Sequence, residues 1–128
     1  MIVTWYLCVA LIGLHVIFGI AEMFFWKPLG ALVAKNRDRC GLDDRNLGHA
    51  ITWSWFLAFN QGIYNLFLAA GLFFCLEPGQ TVDSEFVYFF AGCIVAAGLA
   101  GAYCGIRTTL IVQTLPGMLL LGANYFAL

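Results

Sequence analysis

Seven side chains in this 128-residue chain could do chemistry, because each is polar or ionisable within or beside a long apolar run: His15, Glu22, Asn60, Gln61, Tyr64, Arg107 and Gln113. Glu22 and His15 are the only carboxylate and imidazole between Met1 and Trp26, and their spacing puts them on one face of a helix. An acid inside a membrane is costly to keep there, so Glu22 is a candidate counter-charge for a ligand or a candidate proton acceptor. Asn60, Gln61 and Tyr64 sit close together in a second apolar run, where amides and a phenol can act as hydrogen-bonding ligands, while the neighbouring Asn65 reads as an amide that bridges helices. Gln113 lies beside Val112, whose carbonyl is freed by Pro116 because proline has no N–H and its ring displaces the preceding turn. Each candidate also has a purely structural use. Amides bridge helices for ~0.6 kcal/mol on average. His15 can be a neutral imidazole bonded to a neighbouring helix, and Glu22 can pair with Arg107 or Lys27. No HExxH, CxxC or Ser-His-Asp pattern is present, so no metal, cofactor or catalytic residue is expected.

The elements that carry these residues follow from composition. The chain is 62% hydrophobic and only 10% charged, whereas soluble domains carry about 25% charged residues. With a mean hydropathy of +0.89, it reads as a single integral-membrane domain over residues 1–128. Six Lys and Arg make no surface for nucleic acid. No basic residue precedes the first apolar run, which is also too long for a signal peptide.

The expected fold is all-α: four antiparallel transmembrane helices over about 2–26, 44–76, 86–106 and 108–127. In the first, Thr4, Cys8, Leu11, His15, Gly19, Glu22 and Trp26 form a stripe at helical spacing, marking the side turned to other helices. The basic connection 27–43 follows, in which Cys40–Gly41 breaks the chain and Asp43 is the expected cap of the next helix. Five of the six basic residues lie between Lys27 and Arg45, which the positive-inside rule assigns to the cytoplasm. In the second helix, Trp53, Ser54, Asn60, Gln61, Tyr64, Asn65, Leu68 and Gly71 are expected to share one inward sector, with Asn60 near the bilayer midplane. Glu77-Pro78-Gly79-Gln80 ends it, and the acidic loop through Asp83 and Glu85 suits the extracytoplasmic side. The last apolar stretch is too long for one span and must turn at Gly105–Thr108, which places Arg107 in the cytoplasm and both termini outside.

The motifs Glu22-Met23-Phe24-Phe25-Trp26, Asn60-Gln61-Gly62-x-Tyr64-Asn65, Ala97-Gly98-x-x-Gly101-Ala102 and Gln113-x-Leu115-Pro116 occur in this order. Together they resemble a family of small bacterial integral-membrane proteins classed only as a domain of unknown function. The resemblance covers nearly the whole chain, matches poorly over about 35–59, and departs at Ala100, where an aromatic residue is expected. It implies a four-helix protein of the bacterial inner membrane and supplies no activity.

The best functional reading is a binding or transport protein with a cytoplasm-facing polar pocket for a small molecule, lipid headgroup or proton. Glu22 would be the charged group, with His15, Asn60, Gln61, Tyr64, Arg107 and Gln113 around it. Two alternatives stand beside it. One is an enzyme of membrane glutathione-transferase-like architecture, although that family's arginine, asparagine and glutamate pattern is missing here. The other is a structural subunit. A homo-oligomer is expected through a glycine-rich face carrying Gly92, Ala97, Gly98, Gly101, Ala102 and Gly105.

Overall fold

The computed structural model describes residues 1–35 and 44–128. Arg37, Arg39, the Cys40–Gly41 break and the Asp43 cap lie outside the described residues. The elements are α1 (Ile2–Phe24), α2 (Trp26–Lys35), α3 (Asp44–Trp53), α4 (Trp55–Phe74), β1 (Leu76–Glu77), β2 (Thr81–Val82), α5 (Ser84–Tyr103) and α6 (Leu115–Tyr125), with a π-helical turn at Leu110–Thr114 before α6. Among the described residues the regular structure is all helical apart from this hairpin of two two-residue strands.

Among the described residues, three helices, α1, α4 and α5, are long and apolar enough to cross a membrane, as suits a membrane protein. The apolar stretch Leu110–Tyr125 is shorter than these. The outward surfaces carry large apolar side chains such as Ile17, Phe67, Phe73, Phe89 and Ile111, which suits contact with lipid.

The first stripe is where the sequence puts it. Thr4, Cys8, Leu11, His15 and Gly19 are all buried along α1. They meet α4, whose buried residues Ala58, Gly62, Asn65, Ala69 and Leu72 form a second stripe dominated by small side chains. The helices run antiparallel and touch at Gly19 and Gly62. A Cβ at Gly62 would lie 2.7 Å from the Gly19 carbonyl oxygen, and one at Gly19 would lie 2.9 Å from that of Gly62. Only hydrogen at both positions allows backbones this close.

Helix α4 departs from the expected inward polar sector. Of its amides only Asn65 joins the small residues in the contact with α1; Asn60, Gln61 and Tyr64, with Trp53 at the end of α3, are exposed on the chain, while Asn65 and Gly71 of the expected sector are buried. A local break at Ser54 (φ −83°, ψ −1°) also separates α3 from α4. Because the membrane-length helix starts at Trp55, Asn60 lies about 8 Å from its end and not at its middle.

Helix α5 begins with Asp83, whose carboxylate accepts the N–H groups of Glu85 and Phe86 at 3.1 and 3.3 Å. It ends in a Schellman turn at the predicted place. Ile106 N–H donates to Gly101 O and Gly105 N–H to Ala102 O, both at 2.9 Å, with Gly105 at φ +97°. Gly105 therefore belongs to the turn and not to a glycine face of the helix. Gly98 and Gly101 are used within the chain, where an added Cβ would strike Thr114 and Thr109 respectively.

Helix α1 packs on α4 and α6, and α5 packs on the same two, closing a ring of four. Met1 N donates to Ala127 O at 2.6 Å and the Thr4 hydroxyl to Leu128 O at 2.8 Å, so both termini lie at one end. The hairpin is at this end too, with Gln80 Nε2 3.4 Å from the Tyr6 hydroxyl. The core fills this half: Cys8, Leu11, Leu72, Cys75, Val82, Val87, Ala91, Ile94 and Leu120 pack together. The opposite half, near Trp26, Ser54 and the turn at Gly105, is hollow.

Candidate functional site

The hollow is a cavity of about 810 Å³ between the C-terminal part of α1, α2, the first turns of α4, the end of α5 and the π-helical turn. Its walls are mostly apolar, with Phe18, Leu29, Val33, Leu57 and Val112 among them. Three expected ligand residues from three separate segments line it together: Glu22 from α1, Gln61 from α4 and Gln113 from the π-helical turn.

Glu22 is held by a residue first read as a packing amide. Asn65 Nδ2 donates to Glu22 Oε2 at 2.7 Å. The two side chains meet beside the Gly19–Gly62 crossing, each leaning toward the N-terminus of its own helix. The Asn65 carbonyl oxygen Oδ1 is buried without a hydrogen-bond partner among the described residues. The partner found for Glu22 is thus Asn65, where the sequence suggested Arg107 or Lys27.

Gln113 owes its position to an irregular helix. The π-helical turn ends at Thr114, and Leu115 N–H reaches back to Leu110 O. The turn directly precedes Pro116, whose ring cannot continue a regular ladder. Such turns recur at functional sites because they redirect one side chain. Thr109 fixes the start of this segment through its hydroxyl, which lies 2.7 Å from Gly98 O and 2.8 Å from Ile106 O.

Trp26 closes another edge. Its indole N–H reaches Ile51 O at 3.0 Å and Ser54 Oγ at 3.1 Å, and the Ser54 hydroxyl donates to Ile51 O at 3.2 Å. This joins the start of α2 to the α3–α4 break.

The other expected site residues lie elsewhere. His15 is fully buried two turns from Glu22. Because a carbonyl can only accept, His15 Nδ1 donates to Leu11 O at 2.8 Å, which leaves Nε2 as a bare acceptor with no partner among the described residues. Asn60 and Tyr64 are exposed and do not line the cavity. Arg107 is exposed in the turn whose neighbours Ile106 and Thr108 do line it. Among the described residues, no group of three or more His, Cys, Asp or Glu side chains could hold a metal ion.

Asn65, Trp26, Ser54 and Thr109 complete the site. Trp26 and Ser54 were visible in the sequence as members of polar stripes. The role of Asn65 depends on the register between two distant segments, which periodicity alone does not give.

The arrangement can seat a molecule with an apolar body against the walls and a polar group near Glu22. No curated protein and no solved structure matches the chain. A family model described as protein of unknown function (DUF1304) matches residues 7–125, nearly the full length, and the chain belongs to that family.

Proposed function

We propose that this is a multi-pass membrane protein that binds or transports a small molecule, a lipid headgroup or a proton in the cavity at its basic end. One observation carries the reading: an acid and two amides from three separate segments converge on one largely apolar cavity of about 810 Å³. That size is typical of small-molecule pockets. In this reading Leu110–Tyr125 acts with the preceding turn as a fourth span, supported by its return alongside α1 and α5.

The positive-inside rule gives the orientation we adopt. Lys27 and Lys35 on α2 and Arg107 in the turn belong to the cavity end, while Glu77, Asp83 and Glu85 belong to the hairpin end. The cavity then faces the cytoplasm and both termini are extracytoplasmic. The resemblance to small bacterial membrane proteins supports the bacterial inner membrane as the location.

Four helices are few to enclose a pathway, so we take the working unit to be a homo-oligomer. Gly98 and Gly101 are occupied within the chain, which leaves the outer side of α4, with Asn60 and Tyr64, as the surface on which a second copy finds polar groups. Asn60→Leu should then lower the oligomer mass in mild detergent. An unchanged mass would return that surface to lipid.

Native mass spectrometry of gently solubilised protein, wild type beside Glu22→Gln, tests the binding reading. A co-purifying mass is expected in the wild type and absent from the variant. Identical spectra for the two proteins would remove Glu22 from any binding role.

A further inference from the structure

The hydrogen-bond inventory of the cavity is unbalanced, and the imbalance identifies what it takes. Its lining donors are largely committed to the protein itself. The Trp26 N–H is used by Ile51 O and Ser54 Oγ, and the Ser54 hydroxyl hydrogen by Ile51 O. The Thr109 hydroxyl hydrogen is taken by backbone carbonyls. Gln61, Gln113 and Thr108 each bring acceptors as well as donors, so they fit either kind of partner. What remains is the Glu22 carboxylate, which has received one hydrogen bond, from Asn65, and has capacity for more. Among the described residues, no Lys or Arg side chain lines the cavity.

A half-open, largely apolar site in which a carboxylate keeps unused acceptor capacity suits a donor that carries positive charge. The surrounding wall of Phe18, Leu29, Val33, Leu57 and Val112 calls for an apolar body. We infer that the cavity binds amphiphiles with a protonated amine head, the ammonium at Glu22 and Gln61 and the chain along the apolar wall. The inference rests on the binding reading above and narrows it to one ligand class. A free alkylamine and an amine-headed lipid such as phosphatidylethanolamine share this chemistry.

The test uses the full-length protein in nanodiscs of phosphatidylcholine with four probes: dodecylammonium, dodecanol, dodecanoate and added phosphatidylethanolamine. Affinity is read by competition, and occupancy of the cavity by protection of Cys104, which stands on its wall, from alkylation. Dodecylammonium is expected to bind about tenfold or more tighter than dodecanol and dodecanoate, and to protect Cys104. In Glu22→Gln that preference should shrink to about twofold or less. Ala100→Phe, which places a ring on the cavity wall and leaves Glu22 intact, should weaken binding of every probe. Protection of Cys104 by phosphatidylethanolamine as well would make the lipid the source, and protection by dodecylammonium alone would make it the free amine.

Equal binding of dodecylammonium and dodecanol by the wild type would overturn the amine assignment while leaving a binding cavity. So would an ammonium preference that survives Glu22→Gln. If no probe binds or protects Cys104, the amine assignment and the binding reading fall together.

Discussion

Asn65 has one half of its amide in use and the other half stranded. Its N–H holds Glu22, while Oδ1 is buried without a partner among the described residues. An unpaired buried acceptor costs about 1–3 kcal/mol, whereas an interhelical amide bond in a membrane contributes only ~0.6 kcal/mol on average. Water in the cavity can also replace the lost donor at Glu22. Asn65→Leu, which keeps most of the volume and removes the stranded oxygen, should therefore be at least as stable as wild type. Asn65→Ala should be less stable than either, through the space it leaves. Thermal unfolding in one detergent compares the three, and a leucine variant clearly less stable than wild type would mean that Oδ1 has a partner, such as an internal water. If the cavity binds amines as inferred above, both variants should also weaken that binding, because Glu22 loses its anchor.

Cys75 gives a second residue-level outcome, and it lies just past the end of α4. Its thiol donates to Gly71 O at 3.2 Å and is fully buried. Burial first, and the nearby Asp83 carboxylate second, push the thiol up to about 11. Since the thiolate is the nucleophile, almost none is present at about pH 8, and access is blocked as well. Iodoacetamide should modify the exposed Cys104 and spare Cys75, with sites read by peptide mass mapping. Prompt labelling of Cys75 would show that the hairpin corner opens.

Among elements, the α1–α4 pair is the one whose geometry tolerates least change. The added Cβ of Gly62→Ala would face the Gly19 carbonyl at 2.7 Å, and backbone cannot swing aside as a side-chain tip can. The helices must separate, at a cost on the order of 1–3 kcal/mol. Gly13 is the control on the same helix pair. Nothing lies within 4 Å of a Cβ there, so Gly13→Ala should be neutral or gain up to ~1 kcal/mol from helix propensity. If both variants melt like wild type, the close backbone crossing is not a source of stability.

This pair also shows what the sequence could and could not reveal. The α1 stripe was legible because polar and small residues recur there at helical spacing against an apolar background, and five of its members are buried. The turn at Gly105 was legible because the apolar stretch exceeded one bilayer crossing. The inward side of α4 was legible only in part: Asn65 and Gly71 of the expected sector are buried, while Asn60, Gln61 and Tyr64 are exposed because close packing selects Ala58, Gly62 and Ala69 instead. Glu22, Gln61 and Gln113 stood out as polar groups in apolar runs. Their convergence depends on the π-helical turn before Pro116 and on the α1–α4 register, neither of which periodicity encodes.

At the scale of the whole molecule, the two ends differ in packing and charge. One end is sealed by the core, the hairpin and the joined termini, and carries Glu77, Asp83 and Glu85. The other is hollow and flanked by Lys27, Lys35 and Arg107. If the basic end is cytoplasmic, the ligand we propose would enter the cavity from the cytoplasm or from the inner leaflet, and the sealed half would block exit on the other side. That orientation can be read chemically, because Cys104 stands on the cavity wall and Glu85 is exposed at the opposite end. In a chain carrying Cys40→Ser and Cys93→Ser, a membrane-impermeant maleimide should label Glu85→Cys in intact cells. It should reach Cys104 only in inverted vesicles or after permeabilisation. Cys104 labelled in intact cells, with Glu85→Cys protected, would reverse the orientation and make the cavity a receptor for extracellular molecules. Labelling of both sites from one side would break the four-span arrangement itself, since α5 would then fail to separate its own two ends across the membrane.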